Sequence, residues 1–324
     1  VRARLAIVVA AALALSCAGH GTGRVVTAPA NPANRGGGAG GAAPRPAPID
    51  AATALARTAE ESVVLVRTGV LRRHPVGMHL GALLAAWQGW RATLAGIAPD
   101  PIRDLEWLEV VGPAAAASQR MMARSNVDDA TLDGRIARIA AKSTEDPREV
   151  VGGDAPAAVA RLDGTLRAVL RARPHLVAIV PRDAAPSVSA TLNHTEVLEP
   201  ADDDHEAVRA EIVRPSGADS PLPDTVRAVH LQVLARDDGG ADAIAQGECV
   251  DAGAAAHVAD DARDRVARAN GLIVHALTKG ILDGLTVSSE GPIVTVKIAA
   301  TRDQLEATAA IVSAVLGSSV GPPP

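Results

Sequence analysis

Not one of the 324 residues is phenylalanine or tyrosine. Whatever this chain folds into, its core has to be built from Leu, Ile, Val and Ala, with Trp87, Trp90 and Trp107 as the only large rings. The same lack excludes function classes. A platform for single-stranded nucleic acid needs several aromatic side chains along a groove, and so do sugar clefts that rely on stacking. Net charge points the same way. The chain carries −5 at pH 7, and its basic residues are arginine apart from Lys142, Lys279 and Lys297. A mildly acidic balance without a basic patch predicts no nucleic-acid partner. The arginine bias, with abundant Ala, Gly, Pro and Val, is how a GC-rich genome writes proteins.

The N-terminal end predicts an address. Arg2 and Arg4 precede an uncharged, mostly apolar run from Leu5 to Leu15, closed by Ser16 and Cys17. A positive start, a short apolar run and small residues before a cut are the parts of a secretory signal. About 11 residues are too few for a bilayer core, which needs roughly 20. Ala14, Leu15, Ser16 and Cys17 resemble the lipobox of bacterial lipoproteins, although the usual leucine stands one position early, at Leu13. The resemblance implies cleavage before Cys17 and acylation there; an ordinary signal peptidase cut near Ser16 is the alternative. Ala18 carries no retention signal of the common Gram-negative kind, so the implied location is the outer membrane, facing the periplasm. Several acyl chains anchor stably where one does so only marginally. No cofactor is expected, and the expected partners are the membrane, through the lipid, and an envelope protein or small apolar ligand.

Residues 17–50 are rich in Gly, Ala and Pro and predict a flexible tether with about 30 Å of typical reach. Folding signals occupy residues 51–318, divided into a first half over 51–200 and a second over 201–318, with a disordered tail over 319–324. Val63 to Val66 predicts a strand, and Leu80, Leu83, Leu84, Trp87 and Leu94 an amphipathic helix. A pattern then recurs in which two short β-rich runs precede a helical stretch. The runs are 105–111 with 119–125, 165–170 with 176–180, 226–235 with 241–249, and 284–288 with 293–298. The helices are predicted near 128–142, 183–192, 253–277 and 302–316. Val294, Val296 and Ile298 alternate with Thr295 and Lys297 at the period of a half-buried strand. Asp238-Gly239 and Gly291-Pro292 supply turns. Repeated hairpin-plus-helix units predict an α+β fold, an antiparallel sheet with helices on one face. The stretches 149–160 and 196–204 read as loops.

Candidate sites are few. His194, Asp202, Asp204 and His205, in a run that also holds Asn193, Glu196, Glu199, Asp203 and Glu206, could ligate a divalent cation and serve a metal-dependent hydrolase. A solvated acidic loop is the simpler reading, because neither a His-Glu-x-x-His pair nor a calcium-loop spacing is present. His257, Asp261 and Asp264 share a helix face beside Arg265 and Arg268, as a surface ion-pair network would. Cys249 would be a free thiol among the small residues Ala243, Ala245 and Gly247. Trp87, Trp90 and Trp107 could form a binding patch, but core packing is the simpler reading, and no catalytic constellation stands out. A lipid-anchored protein with a binding or envelope-organising role is expected; a lipid carrier is a further possibility.

The stretch from Leu71 to Pro113, with Gly-Ile-Ala-Pro-Asp-Pro at 96–101 and Asp-Leu-Glu-Trp-Leu-Glu-Val-Val-Gly-Pro at 104–113, resembles uncharacterised lipoproteins of GC-rich Gram-negative bacteria. That resemblance implies an envelope location and no particular reaction.

Overall fold

The computed structural model describes residues 47–77, 93–112, 119–143, 156–162, 164–200, 205–214 and 223–317. The signal, Cys17, nearly all of the tether, the tail from 318 on, and the predicted helix with Trp87 and Trp90 lie outside the described residues.

Eleven strands form one sheet: β1 (Val63–Val66), β2 (Leu105–Val111), β3 (Arg120–Ser125), β4 (Ala157–Leu162), β5 (Thr165–Arg173), β6 (Leu176–Pro181), β7 (Glu206–Val213), β8 (Val226–Ala235), β9 (Ala241–Cys249), β10 (Leu285–Glu290) and β11 (Ile293–Ala300). The helices are α1 (Ala51–Ala54), α2 (Thr68–Arg73), α3 (Pro101–Asp104), α4 (Asp129–Ala140), α5 (Ala185–His194), α6 (Ala252–Ala269), α7 (Leu272–Leu277) and α8 (Arg302–Gly317). The sheet runs in the order β10-β11-β9-β8-β7-β1-β2-β3-β6-β5-β4, and every neighbouring pair is antiparallel.

Two runs of similar topology, with three strands after the crossover in the first and two in the second, meet at β1 and β7. From β1 the chain makes the meander β1-β2-β3, crosses through α4, and returns with β6 beside β3. From β7 it makes β7-β8-β9, crosses through α6, and returns with β11 beside β9. The halves are therefore two wings of one sheet, joined by the β1–β7 ladder from Val63–Glu211 to Val66–Val208.

Local chemistry accounts for the element ends. Asp128 and Asp251 accept backbone N–H bonds at the starts of α4 and α6, from Thr131 and Ala254 respectively. Asp100 does the same for α3, so the Pro99-Asp100-Pro101 turn opens directly into a helical turn with Pro101 at its first position. Gly239 and Gly291 take positive φ, +83° and +54°, in the β8–β9 and β10–β11 turns. The helix predicted over 253–277 is two helices, because Asn270 and Gly271 interrupt it with non-helical backbone.

Strand pleat settles which side each helix covers. On β6, Leu176, Ala178 and Val180 pack with Ala51, Ala54 and Leu55 of the α1 region and with Val188 and Leu192 of α5. Val177 and Ile179 point the other way, into a cluster with Leu94, Ile97 and with Leu132 and Ile136 of α4. Helices thus cover both faces of the first half, which corrects the expectation of helices on one face there. From Leu176 to Val180, β6 is buried on both sides and cannot show a clean polar alternation. In the second half, Val229, Ala245, Cys249, Val294 and Val296 pack against Ala255, Val258 and Ala259 of α6. Cys249 is buried and free, and burial with nearby Asp251 raises its thiol pKa, the opposite of what a nucleophile needs.

Candidate functional site

One row of cross-strand partners crosses all eleven strands on the α5 side of the sheet. It reads Ala157, Leu170, Ala178, Met122, Glu109, Leu65, Arg209, Gln232, Ile244, Lys297 and Thr286. Up to Leu65 the row is apolar except for Glu109, and every member is buried except the half-buried Ala157 at its edge. From Arg209 onward it is polar apart from Ile244, and Arg209, Lys297 and Thr286 are exposed. A parallel row repeats the change with Val111, Val63, Glu211, His230, Gln246, Thr295 and Ser288. The cover of α1 and α5 therefore ends at the β1–β7 junction, and beyond it the sheet shows solvent a floor of amides, hydroxyls and mixed charges.

The junction holds a buried ion-pair network. Glu206, at the start of β7, is 1% exposed. Its carboxylate accepts from Arg67 Nε and Nη2 at 3.2 Å each, from Arg209 Nε at 2.8 Å and Nη2 at 2.7 Å, and from Gln232 Nε2 at 3.1 Å. Burial pushes the Glu206 pKa up, but the bonds from Arg209, Gln232 and Arg67 outweigh it and hold the group below the usual carboxylate range. Arg67 directly follows β1, so this network ties the inner ends of the two wings. On the covered side, Arg57 after α1 reaches β7 through Glu211 at 2.8 Å, and Arg120 of β3 pairs with Glu61.

Just inside the cover lie Trp107 and Glu109, two positions apart on β2 and on the same face. Both are buried, at 5% and 8% exposure, and among the described residues Trp107 Nε1 and Glu109 Oε1 have no hydrogen-bond partner. Leaving such a group unpaired costs about 1–3 kcal/mol. Burial, reinforced by the charge of Asp50 and opposed by Arg57 and Arg209, pushes the Glu109 carboxyl up to about 7. Sequence reading placed Trp107 in the core but passed over Glu109, because a charge every third residue in Leu-Glu-Trp-Leu-Glu reads as a solvated strand edge.

Of the predicted metal ligands, His194 and His205 are described. His194 ends α5, and Arg124 pairs with Glu199. His205 shares its Nδ1 with the Ala235 carbonyl at 3.2 Å, while Glu206 is held by arginines. Asp202 and Asp204 lie outside the described residues. Among the described residues no group of three or more His, Cys, Asp or Glu could hold a metal ion. His257 is exposed on α6, and Asp261 pairs with Arg265 at 2.8 Å.

No protein-family model and no curated protein matches the chain. Among solved structures, crystal form I of TP0453 is similar at 11% identity with a TM-score of 0.39, over 82% of this chain and 98% of that one. A likeness that distant carries no argument about function. No helix of the described residues is long and apolar enough to cross a membrane.

Proposed function

We propose that the chain is a lipid-anchored envelope protein that binds a partner without catalysing a reaction, and that the uncovered face of β7 to β11 is the surface it presents. The observation that carries this reading is the abrupt change along the cross-strand rows, from buried hydrocarbon to exposed Arg209, His230, Gln246 and Lys297. We keep the one-faced arrangement for this half, with α6 on the reverse side. A face of both charge signs, with Glu211, Glu248 and Glu290 among its residues, suits a folded protein of mixed surface charge better than a polyanion. Support for the anchor is the sequence from Leu5 to Cys17 and the resemblance to envelope lipoproteins.

Palmitate incorporation tests the anchor. The full chain, expressed in a Gram-negative host fed radiolabelled palmitate, is expected to take up label and to fractionate with membranes; a Cys17→Ser variant should do neither. Equal labelling of both proteins, or of neither, rules the anchor out.

A further inference from the structure

We infer that Trp107 and Glu109 grip the polar end of an apolar ligand beneath α1, and that the group they grip is an acyl carbonyl. An indole N–H can only donate, so whatever satisfies Trp107 Nε1 must bring an acceptor. The carboxyl two residues along the same face supplies a second donor when protonated, which its burial favours. Two donors on the same strand face match a carbonyl oxygen, whose two lone pairs can take both. Their close neighbours on the sheet and in the cover are hydrocarbon: Leu65 and Met122 flank Glu109 on the neighbouring strands, and Ala51, Ala54 and Leu55 of the α1 region share the cluster with Trp107. The remainder of the ligand is therefore apolar. Asp50, Arg57 and Arg209 are the charged groups that act on the Glu109 carboxyl, from the α1 start, the α1–β1 connection and β7. The site goes beyond the open face and does not depend on it or on the anchor.

Free fatty acid and lipid ester share this carbonyl, and the test separates them. The full chain carrying Cys17→Ser, which has no acyl group of its own, is titrated with oleate and separately with monooleoylglycerol. Binding is read by calorimetry and by the Trp107 indole N–H resonance, assigned by its loss in Trp107→Phe. Saturable binding that moves this resonance is expected. Glu109→Leu and Trp107→Phe should each weaken it about tenfold, the equivalent of roughly 1.4 kcal/mol. Binding should also weaken above pH 7 in the Cys17→Ser chain and not in its Glu109→Leu variant. Far-UV circular dichroism and the other two indole resonances establish that each variant is folded. Binding of oleate alone identifies a fatty acid site, and binding of both probes a site for esters as well. If neither probe moves the resonance, or if both folded variants bind as tightly as the parent, the inference fails.

Discussion

Glu206→Ala is expected to lower the free energy of unfolding by about 3–5 kcal/mol, the cost of breaking a buried pair from one side. The side chain of Arg67 is 8% exposed and that of Glu206 1%, so the alanine variant leaves a guanidinium in the interior with its carboxylate gone. Arg209 loses less, because its side chain is 57% exposed and water can replace the bond. Urea denaturation should show a lower midpoint at unchanged slope, the mark of lost stability without a change in the surface exposed. Removing both charges, in Arg67→Met with Glu206→Leu, should cost less than Glu206→Ala alone. Acid should mimic the substitution. The folded-state pKa of Glu206 is depressed, so its contribution is present above the unfolded carboxylate range and is lost as pH falls through the lower, folded value. A Glu206→Ala variant within 1 kcal/mol of the parent would mean that this network does not lock the wings together.

Glu109 should behave with the opposite sign. Its folded carboxyl titrates at about 7, against 4.5 for the unperturbed group. Below about pH 4.5 it is protonated in both the folded and the unfolded chain and adds no pH dependence. Between there and pH 7 the unfolded chain releases a proton that the folded chain keeps, so stability falls by about 1.4 kcal/mol per pH unit. Glu109→Leu removes this dependence. Near pH 4 the variant should differ from the parent only through packing; by pH 8 the parent should have lost roughly 3 kcal/mol relative to it. Denaturant midpoints measured in parallel at the two pH values give this difference directly. A constant gap between the two proteins would show that Glu109 is not held neutral.

Most strand pairs were legible in the sequence because their residues carry their own instructions. Val294, Val296 and Ile298 alternate with polar partners, and the Asp238-Gly239 and Gly291-Pro292 turns sit where the period resets. Two strands were not legible. β4 (Ala157–Leu162) is largely small residues whose alternation carries little hydrophobic signal, and it was read as loop. β7 does alternate, with Val208, Ala210 and Ile212 against Arg209 and Glu211. Its start at Glu206 lies in an acidic stretch, though, and a register shift between Glu206 and Val208 breaks the period there. This central strand joins the wings, so missing it hid both the single sheet and the Glu206 network. Glu206 itself was read as one more acid in a solvated loop; its burial depends on Arg67, 139 residues earlier in the chain. Helices on both faces of the first half were hidden for a related reason. Runs such as Leu176 to Val180 are apolar at every position, and a continuous apolar run does not say which helix takes which side.

Thiol labelling tests the use of the open face most directly. In a Cys249→Ser background, Gln246→Cys on the uncovered face and Ala178→Cys under α5 would be treated with a membrane-impermeant maleimide. The reaction is run on purified protein and on cells whose outer membrane has been permeabilised. On the purified chain position 246 should react fast and position 178 should stay protected. In cells, position 246 should become protected too, because a bound partner covers it. Equal reactivity of position 246 in the cell and in the tube would contradict a binding role for this face, and fast labelling of position 178 would contradict the cover itself.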